Sequence, residues 1–96
     1  MRGIKSDSLD RLFGAILALE NPEECMAFFE DLCTITELKD MAQRLDTALL
    51  LDKGMNYQTI STEVGVSTAT ISRVSRCLNY GSGGYRVAID RMKKEK

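Results

Sequence analysis

A glycine between two short amphipathic segments constrains this chain more than any other feature. Gly65 stands within residues 57–76, where the chain must turn at a positive φ that only glycine adopts without steric cost. Apolar residues recur at helical spacing on both sides of it, namely Ile60 and Val64 before it and Ile71, Val74 and Leu78 after it. This pattern predicts a helix from about Tyr57 to Val64, a turn, and a second helix from the capping residue Ser67 to about Leu78. Two short helices joined in this way form a helix-turn-helix.

Helix start and stop signals also fill the rest of the chain, whereas strand signals are scarce. Three helices are predicted before the helix-turn-helix: one capped by Ser6 or Asp7, one opened by Asn21-Pro22, and a longer one between the capping box Thr34–Glu37 and Gly54. Residues 79–84 form a flexible break, and a last helix follows from Tyr85 to about Lys94. We therefore expect an all-α fold, with residues 1–96 forming one domain.

Length and composition narrow the class of protein further. A chain of 96 residues is the size of one small domain. The start of the chain lacks the apolar core of a signal peptide, and the longest apolar run, residues 48–51, is far shorter than the roughly 20 residues that span a bilayer. We expect a cytoplasmic, reduced and soluble protein without a membrane partner. Three cysteines, an odd number, argue against a disulfide scaffold, and Cys25, Cys33 and Cys77 each lie on an apolar stretch that predicts a buried, inert thiol.

An enzyme finds little support in the sequence. Histidine, the commonest general base and a leading zinc ligand, is absent. The cysteines lack the spacing of a metal site, and no glycine-rich phosphate loop follows a predicted strand. We predict no catalytic residue, no metal site and no required cofactor.

The small net charge of −1 conceals a gradient along the chain. Residues 1–54 carry six basic and eleven acidic side chains, a balance of −5, whereas residues 55–96 carry seven and three, a balance of +4. Such asymmetry is one sign of a polyanionic partner. A basic tail can also be no more than a solvated end.

The outer face of the second helix of the helix-turn-helix suits a DNA groove. Small and polar side chains at a helix N-terminus allow close approach to base edges, and arginines can reach phosphate or guanine. Gln58, at the start of the first of the two helices, is placed to contact phosphate. The predicted contacts to double-stranded DNA are Gln58, Ser67, Thr68, Ala69, Thr70, Ser72, Arg73 and Arg76. The same hairpin could instead serve as an adaptor surface for another protein, without sequence-specific DNA binding.

The helices before Gly54 carry more large apolar residues than a small monomer readily buries. Burial of each large side chain contributes roughly 1.5–3 kcal/mol, so a solvated face of them is unfavourable. Residues 1–54 are therefore predicted to form a helical dimerisation core, followed by the helix-turn-helix at 57–78 and the C-terminal helix at 85–94. An ordinary core helix pair is the alternative.

The chain also resembles a known family, the tryptophan-repressor superfamily, in particular its YerC/YecD-type branch of TrpR-related regulators. The motifs that carry the resemblance are residues 31–34, Ala42-Gln43-Arg44-Leu45, residues 65–73, and Arg76-Cys77-Leu78-Asn79-Tyr80-Gly81. The family implies a TrpR-like helical domain that forms an intertwined homodimer with two helix-turn-helix heads. Such a dimer reads a two-fold symmetric operator whose half-sites lie about one helical turn apart. A DNA-binding transcription regulator, acting as a repressor, is the function expected.

The resemblance further implies a pocket for a small-molecule co-repressor. The positions that align with the family's ligand contacts are Thr34, Arg44, Thr70, Arg73, Val74 and Cys77. Two of them depart from the tryptophan-binding repressors, because Val74 replaces a glycine beside the ring and Cys77 replaces a serine near the ligand's amino group. These departures argue against tryptophan, so the protein itself fills the pocket or another ligand binds there. Arg44 could alternatively form an ion pair with Asp40 on its own helix.

Overall fold

The structure is a computed structural model that describes residues 6–95. Six α-helices follow one another in this range, and none of these residues lies in a β-strand. The helices are α1 (Ser6–Leu17), α2 (Pro22–Leu32), α3 (Ile35–Asp52), α4 (Tyr57–Val64), α5 (Thr68–Tyr80) and α6 (Gly84–Lys94). The predicted all-α class is confirmed.

The chain divides into two compact units, Met1–Leu38 and Lys39–Lys96, whose boundary falls inside α3. This boundary lies well before Gly54, where the sequence placed the end of the dimerisation core. The first unit contains α1, α2 and the start of α3; the second contains the rest of α3 and the three helices that follow it.

Helix α2 of the first unit begins where its sequence predicts. The Asn21 side chain accepts a 2.8 Å hydrogen bond from the backbone N–H of Glu24, and Pro22 is the first helical residue. The Glu24 carboxylate in turn accepts a 2.9 Å bond from the N–H of Glu20. These bonds pair N–H groups that have no partner within the helix.

The capping box of α3 is also present, although Ile35 is the first residue of the helix. The N–H of Thr34 donates to Glu37 Oε1 at 2.9 Å, and the N–H of Glu37 donates to Thr34 Oγ1 at 3.1 Å. The two residues thus satisfy each other's backbone donors, as the motif predicts.

The first unit buries little of its apolar surface. None of the residues of α1 or α2 is buried, and the side chains of Leu17 and Ile35 are 84% and 85% exposed. Phe28 and Phe29 are half-buried and meet edge to face, with ring centroids 5.7 Å apart. A single copy of the chain therefore leaves an apolar surface in contact with water.

The second unit has a small closed core. Ala48 from α3, Val74 from α5 and Ile89 from α6 are buried together, and the partly buried Leu49, Leu51, Leu78 and Tyr85 pack around them. Helix α5 packs against both α4 and α6, and Ile60 and Ile71 are fully buried on α4 and α5. The inward face predicted for the helix-turn-helix is thus buried at Ile60, Ile71 and Val74 and half-buried at Val64 and Leu78.

Three boundaries differ slightly from the predicted ones. Helix α1 already includes Ser6, which the sequence offers as a cap. Helix α5 continues past Leu78 to Tyr80 and ends at Gly81, where a Cβ atom would lie 2.4 Å from the Cys77 carbonyl oxygen. The predicted six-residue break therefore shortens to residues 81–83, because α6 begins at Gly84.

The expectation of buried thiols is wrong for two of the three cysteines. Cys25 and Cys77 are exposed, and Cys33 is half-buried. Cys25 lies on α2, which buries no residue, and Cys77 borders a surface groove of the second unit. Within residues 6–95, no helix is long and apolar enough to cross a membrane.

Candidate nucleic-acid interface and the adjoining pocket

The turn of the helix-turn-helix is held by its own backbone and one side chain. Gly65 adopts φ 82° and ψ 36°, the left-handed conformation predicted for it, and its N–H donates to the Ser61 carbonyl oxygen at 2.9 Å. The Ser61 hydroxyl donates to the Val66 carbonyl oxygen at 2.7 Å. The side chain of Asn56 caps α4 by accepting from the N–H of Thr59 at 2.8 Å.

Ser67 begins the recognition helix α5. Its hydroxyl oxygen accepts from the N–H of Thr70 at 3.2 Å, and the two hydroxyl groups lie 3.1 Å apart in a second hydrogen bond. Ser67 is therefore the N-cap that the sequence predicts, and a DNA contact by this residue would have to coexist with the cap.

The residues predicted to contact DNA lie mostly on the solvent-facing side of the two helices. Helical spacing places the α5 members other than Thr70 on one face, opposite the buried Ile71 and Val74. Thr70 is half-buried, whereas the exposed members are Gln58, Ser67, Thr68, Ala69, Ser72, Arg73 and Arg76.

The two arginines of this face have no acidic partner within the described part of the chain. The ion pairs there join Asp52 to Arg86 and Lys93, and Arg86 to Asp90. Arg73 and Arg76 are thus available for charge-assisted hydrogen bonds to phosphate.

A pocket of about 360 Å³ adjoins this face. It lies between α3 and the first turns of α5, and the turn between α4 and α5 completes its lining. Its lining residues are Asp40, Gln43, Arg44, Gly65, Val66, Ser67, Thr70 and Arg73. The pocket brings together Arg44, Thr70 and Arg73, which are three of the six predicted co-repressor contacts.

The other three predicted contacts lie elsewhere. Val74 is 2% exposed and belongs to the core with Ala48 and Ile89. Cys77 lines a separate, mainly apolar groove of about 500 Å³. Thr34 lies in the first unit, where it caps α3.

The groove beside Cys77 also contains Tyr85. Partial burial raises the pKa of the Tyr85 hydroxyl above its ordinary value of 10.0; the positive charge of Arg44 opposes this rise and Cys77 adds to it. The hydroxyl is therefore neutral and able to donate a hydrogen bond at physiological pH.

Five lining residues of the pocket were missing from the predicted co-repressor contacts, and two of them, Asp40 and Gln43, lie on α3. Asp40 entered only as a candidate ion-pair partner of Arg44, and no ion pair links these two residues within the range 6–95. Gln43 donates from Nε2 to the Val64 carbonyl oxygen at 3.4 Å and so connects α3 to the end of α4. The spacing of Asp40, Gln43 and Arg44 places all three on one face of a helix, and this was the signal that could have found them.

In the part of the chain that the structure describes, no three His, Cys, Asp or Glu side chains form a group that could hold a metal ion.

Comparison with known proteins connects this geometry to a family. The family described as Trp repressor protein matches residues 7–93. A Bacillus subtilis (strain 168) relative, "Uncharacterized protein YerC", is 54% identical over 91 residues, which are 95% of this chain and 88% of the relative.

Two crystal structures are similar over nearly the whole chain. A proposed Trp repressor from Staphylococcus aureus is 50% identical with a TM-score of 0.89, covering 93% of this chain and 89% of its own. A TrpR-like protein from Eubacterium eligens ATCC 27750 is 44% identical with a TM-score of 0.90, covering 93% and 92%. The predicted TrpR-like fold and the resemblance to the YerC branch are confirmed, and the chain belongs to the Trp repressor family.

Proposed function

We propose that this protein is a sequence-specific DNA-binding transcription regulator that acts in the cytoplasm as a repressor. Membership of a family of helix-turn-helix regulators supports the general role. The observation that carries the proposal is the outer face of α5, where Thr68, Ser72, Arg73 and Arg76 are all exposed. Side chains of this kind on a helix that packs by its opposite face suit the major groove of DNA.

The proposed DNA-binding form is a homodimer. The first unit leaves large apolar side chains such as Phe13, Leu17 and Met26 exposed in the single chain, and a second copy is the partner that would cover them. A two-fold symmetric dimer presents two recognition helices to an operator with matching symmetry. Mass measurement at micromolar concentration should give the dimer, and a clean monomer would contradict this part of the proposal.

DNA binding itself is tested by selecting bound sequences from random double-stranded DNA and measuring their affinity against salt concentration. Affinity for a selected sequence should fall steeply as salt rises, because each phosphate contact releases counterions. Absence of binding to any sequence, or binding that salt does not weaken, would favour the alternative of an adaptor that contacts another protein.

We further propose that the pocket beside α5 receives a small-molecule co-repressor. Arg44, Thr70 and Arg73 line it together with Asp40, so both signs of charge are present for a ligand that carries a carboxylate and an amino group. Val74 is buried in the core and Cys77 lines another groove, so two of the positions that align with the family's ligand contacts lie outside this pocket. Tryptophan is therefore not the ligand we favour. Repeating the DNA selection with and without an amino-acid pool tests this, and identical binding in both would count against an amino-acid effector.

A further inference from the structure

One acidic side chain joins the end of α3 to both ends of α6. Asp52 Oδ1 lies 2.7 Å from an Arg86 guanidinium nitrogen, and Asp52 Oδ2 lies 2.7 Å from Lys93 Nζ. The Asp52 side chain is only 11% exposed. Arg86 and Lys93 are seven residues apart and therefore share one face of α6, with the fully buried Ile89 between them. We call Asp52, Arg86 and Lys93 the charge clamp.

Two members of the charge clamp occupy unfavourable places on their own helices. Asp52 is the last residue of α3 and Arg86 is the third residue of α6. The helix dipole disfavours a carboxylate at a C-terminus and a cation near an N-terminus. Local helix stability therefore does not account for this pair, whereas the contact between the two helices does.

The charge clamp acts on the helix that supports α5. Ile89 of α6 is buried against Val74 of α5 and Ala48 of α3, so α6 packs against the inner face of α5. The covalent link from α5 to α6 consists of residues 81–83, of which two are glycine, the residue with the least restricted backbone. Side-chain contacts between the helices therefore contribute to the position of α6, and through it to that of α5.

We propose that Asp52 is a positioning residue for the DNA-reading face of α5. It holds α6 at both ends, and α6 holds the inner side of α5 at Val74, next to Arg73 on the outer face. The proposal rests on the DNA-binding function proposed above, and its consequence is for specificity: base contacts require a defined position of α5, whereas attraction to phosphate does not.

The substitution Asp52→Asn tests this because it keeps the size of the side chain and removes its charge. The variant gains one unit of positive charge, so electrostatics alone would tighten its binding to every DNA. A positioning role predicts the reverse for a selected sequence, with affinity falling about tenfold relative to random DNA, equivalent to ~1.4 kcal/mol. The measurement is the ratio of the two affinities at a temperature where circular dichroism shows both proteins fully folded.

Asp46→Asn is the matched control, because it makes the same charge change on α3 at an exposed residue that has no ion pair within the described residues. Asp46→Asn should keep the wild-type ratio of the two DNA affinities. Asp52→Glu restores the negative charge and should recover most of the ratio that Asp52→Asn loses. An unchanged ratio in Asp52→Asn, or an equal loss in Asp46→Asn, would overturn the proposal.

Hydrogen exchange tests the positioning role of Asp52 without DNA, so it separates this role from the proposed DNA-binding function. Asp52→Asn should speed amide exchange in α5 and α6 while leaving α2 unchanged. If the wild-type protein binds no DNA, the proposed function is wrong. Faster exchange in α5 would then still support the positioning of α5 by Asp52, and unchanged exchange there would reject it.

Discussion

The hydroxyl of Ser61 donates a 2.7 Å hydrogen bond to the carbonyl oxygen of Val66, across the turn at Gly65. Ser61 is half-buried on α4, and Val66 precedes the cap of α5, so this bond joins α4 to the part of the turn that leads into α5. The small size of residue 61 permits close approach of the chain after the turn. Its hydroxyl also satisfies a carbonyl group that the turn leaves outside both helices.

Ser61→Ala should therefore destabilise the protein by about 1 kcal/mol, because the Val66 carbonyl loses its partner in a half-buried place. For a domain of this size, that corresponds to a fall of roughly 4–8 °C in the melting temperature. Ser72→Ala, on the exposed outer face of α5, is the control and should change stability by less than ~0.5 kcal/mol. Equal melting temperatures for the two variants would show that the bond contributes nothing.

Gly65→Ala should also destabilise the protein, by about 1–2 kcal/mol, for a conformational reason. An added Cβ would meet no atom within 4 Å, so the cost comes from the φ of +82° and not from a clash. Gly14→Ala is the matched control: Gly14 lies inside α1 with equally open surroundings, and alanine there should stabilise by about 0.5–1 kcal/mol. Chemical denaturation measures both changes, and effects of the same sign would contradict this account.

Local signals explain why so much of the fold was predictable from the sequence. The caps at Asn21, Thr34 and Ser67 and the turn at Gly65 each depend on residues within four positions, and the structure confirms them. Contacts between distant residues have no such signal. The bond between Asp52 and Arg86 spans 34 positions, and nothing in the spacing of charges indicated it.

The candidate pocket was only partly predictable for the same reason. Helical spacing groups Arg44 with Gln43 and Asp40, but only the packing of α5 decides that Thr70 and Arg73 turn toward them while Val74 enters the core. The thiols were misjudged because an apolar neighbourhood along the chain does not establish burial. Cys25 follows an apolar pattern on α2, yet α2 of the single chain buries no residue.

Acid should weaken the fold through the charge clamp. Hydrogen bonds from Lys93 and Arg86 hold the pKa of the Asp52 carboxyl below its ordinary value of 3.8. The Asp52 carboxyl therefore binds a proton more readily in the unfolded chain than in the folded protein. The contribution of the charge clamp to the free energy of unfolding is complete above pH 3.8 and is lost as pH falls below it. Urea denaturation at a series of pH values should give a smaller acid-induced loss in Asp52→Asn than in wild type. Asp46→Asn should keep the wild-type loss, and parallel curves for wild type and Asp52→Asn would be inconsistent with the lowered pKa.

Substitutions on the outer face of α5 should separate phosphate contacts from base contacts. Arg76→Ala should weaken binding to most sequences alike and reduce the slope of log affinity against log salt by about 1, because one phosphate contact is lost. Thr68→Ala or Ser72→Ala should instead change preference among sequences by roughly 1–3 kcal/mol if either side chain reads a base. Binding to a panel of selected and altered sequences distinguishes the two patterns. Equal loss across all sequences for Thr68→Ala and Ser72→Ala would contradict their base-reading roles.

The two pocket arginines should differ in what their loss affects. Both line the same pocket, but Arg44 comes from α3, whereas Arg73 lies on the face of α5 proposed to meet DNA. Arg44→Met should therefore lower DNA affinity without effector only slightly, through the loss of one positive charge outside the contact face, and abolish any increase that an effector produces. Arg73→Met should lower both, because one guanidinium group would serve ligand and phosphate. The affinity of both variants for DNA, measured with and without an amino-acid pool, tests this difference. If Arg44→Met weakens effector-free DNA binding as much as Arg73→Met does, the roles proposed for the pocket and the DNA face are not separate.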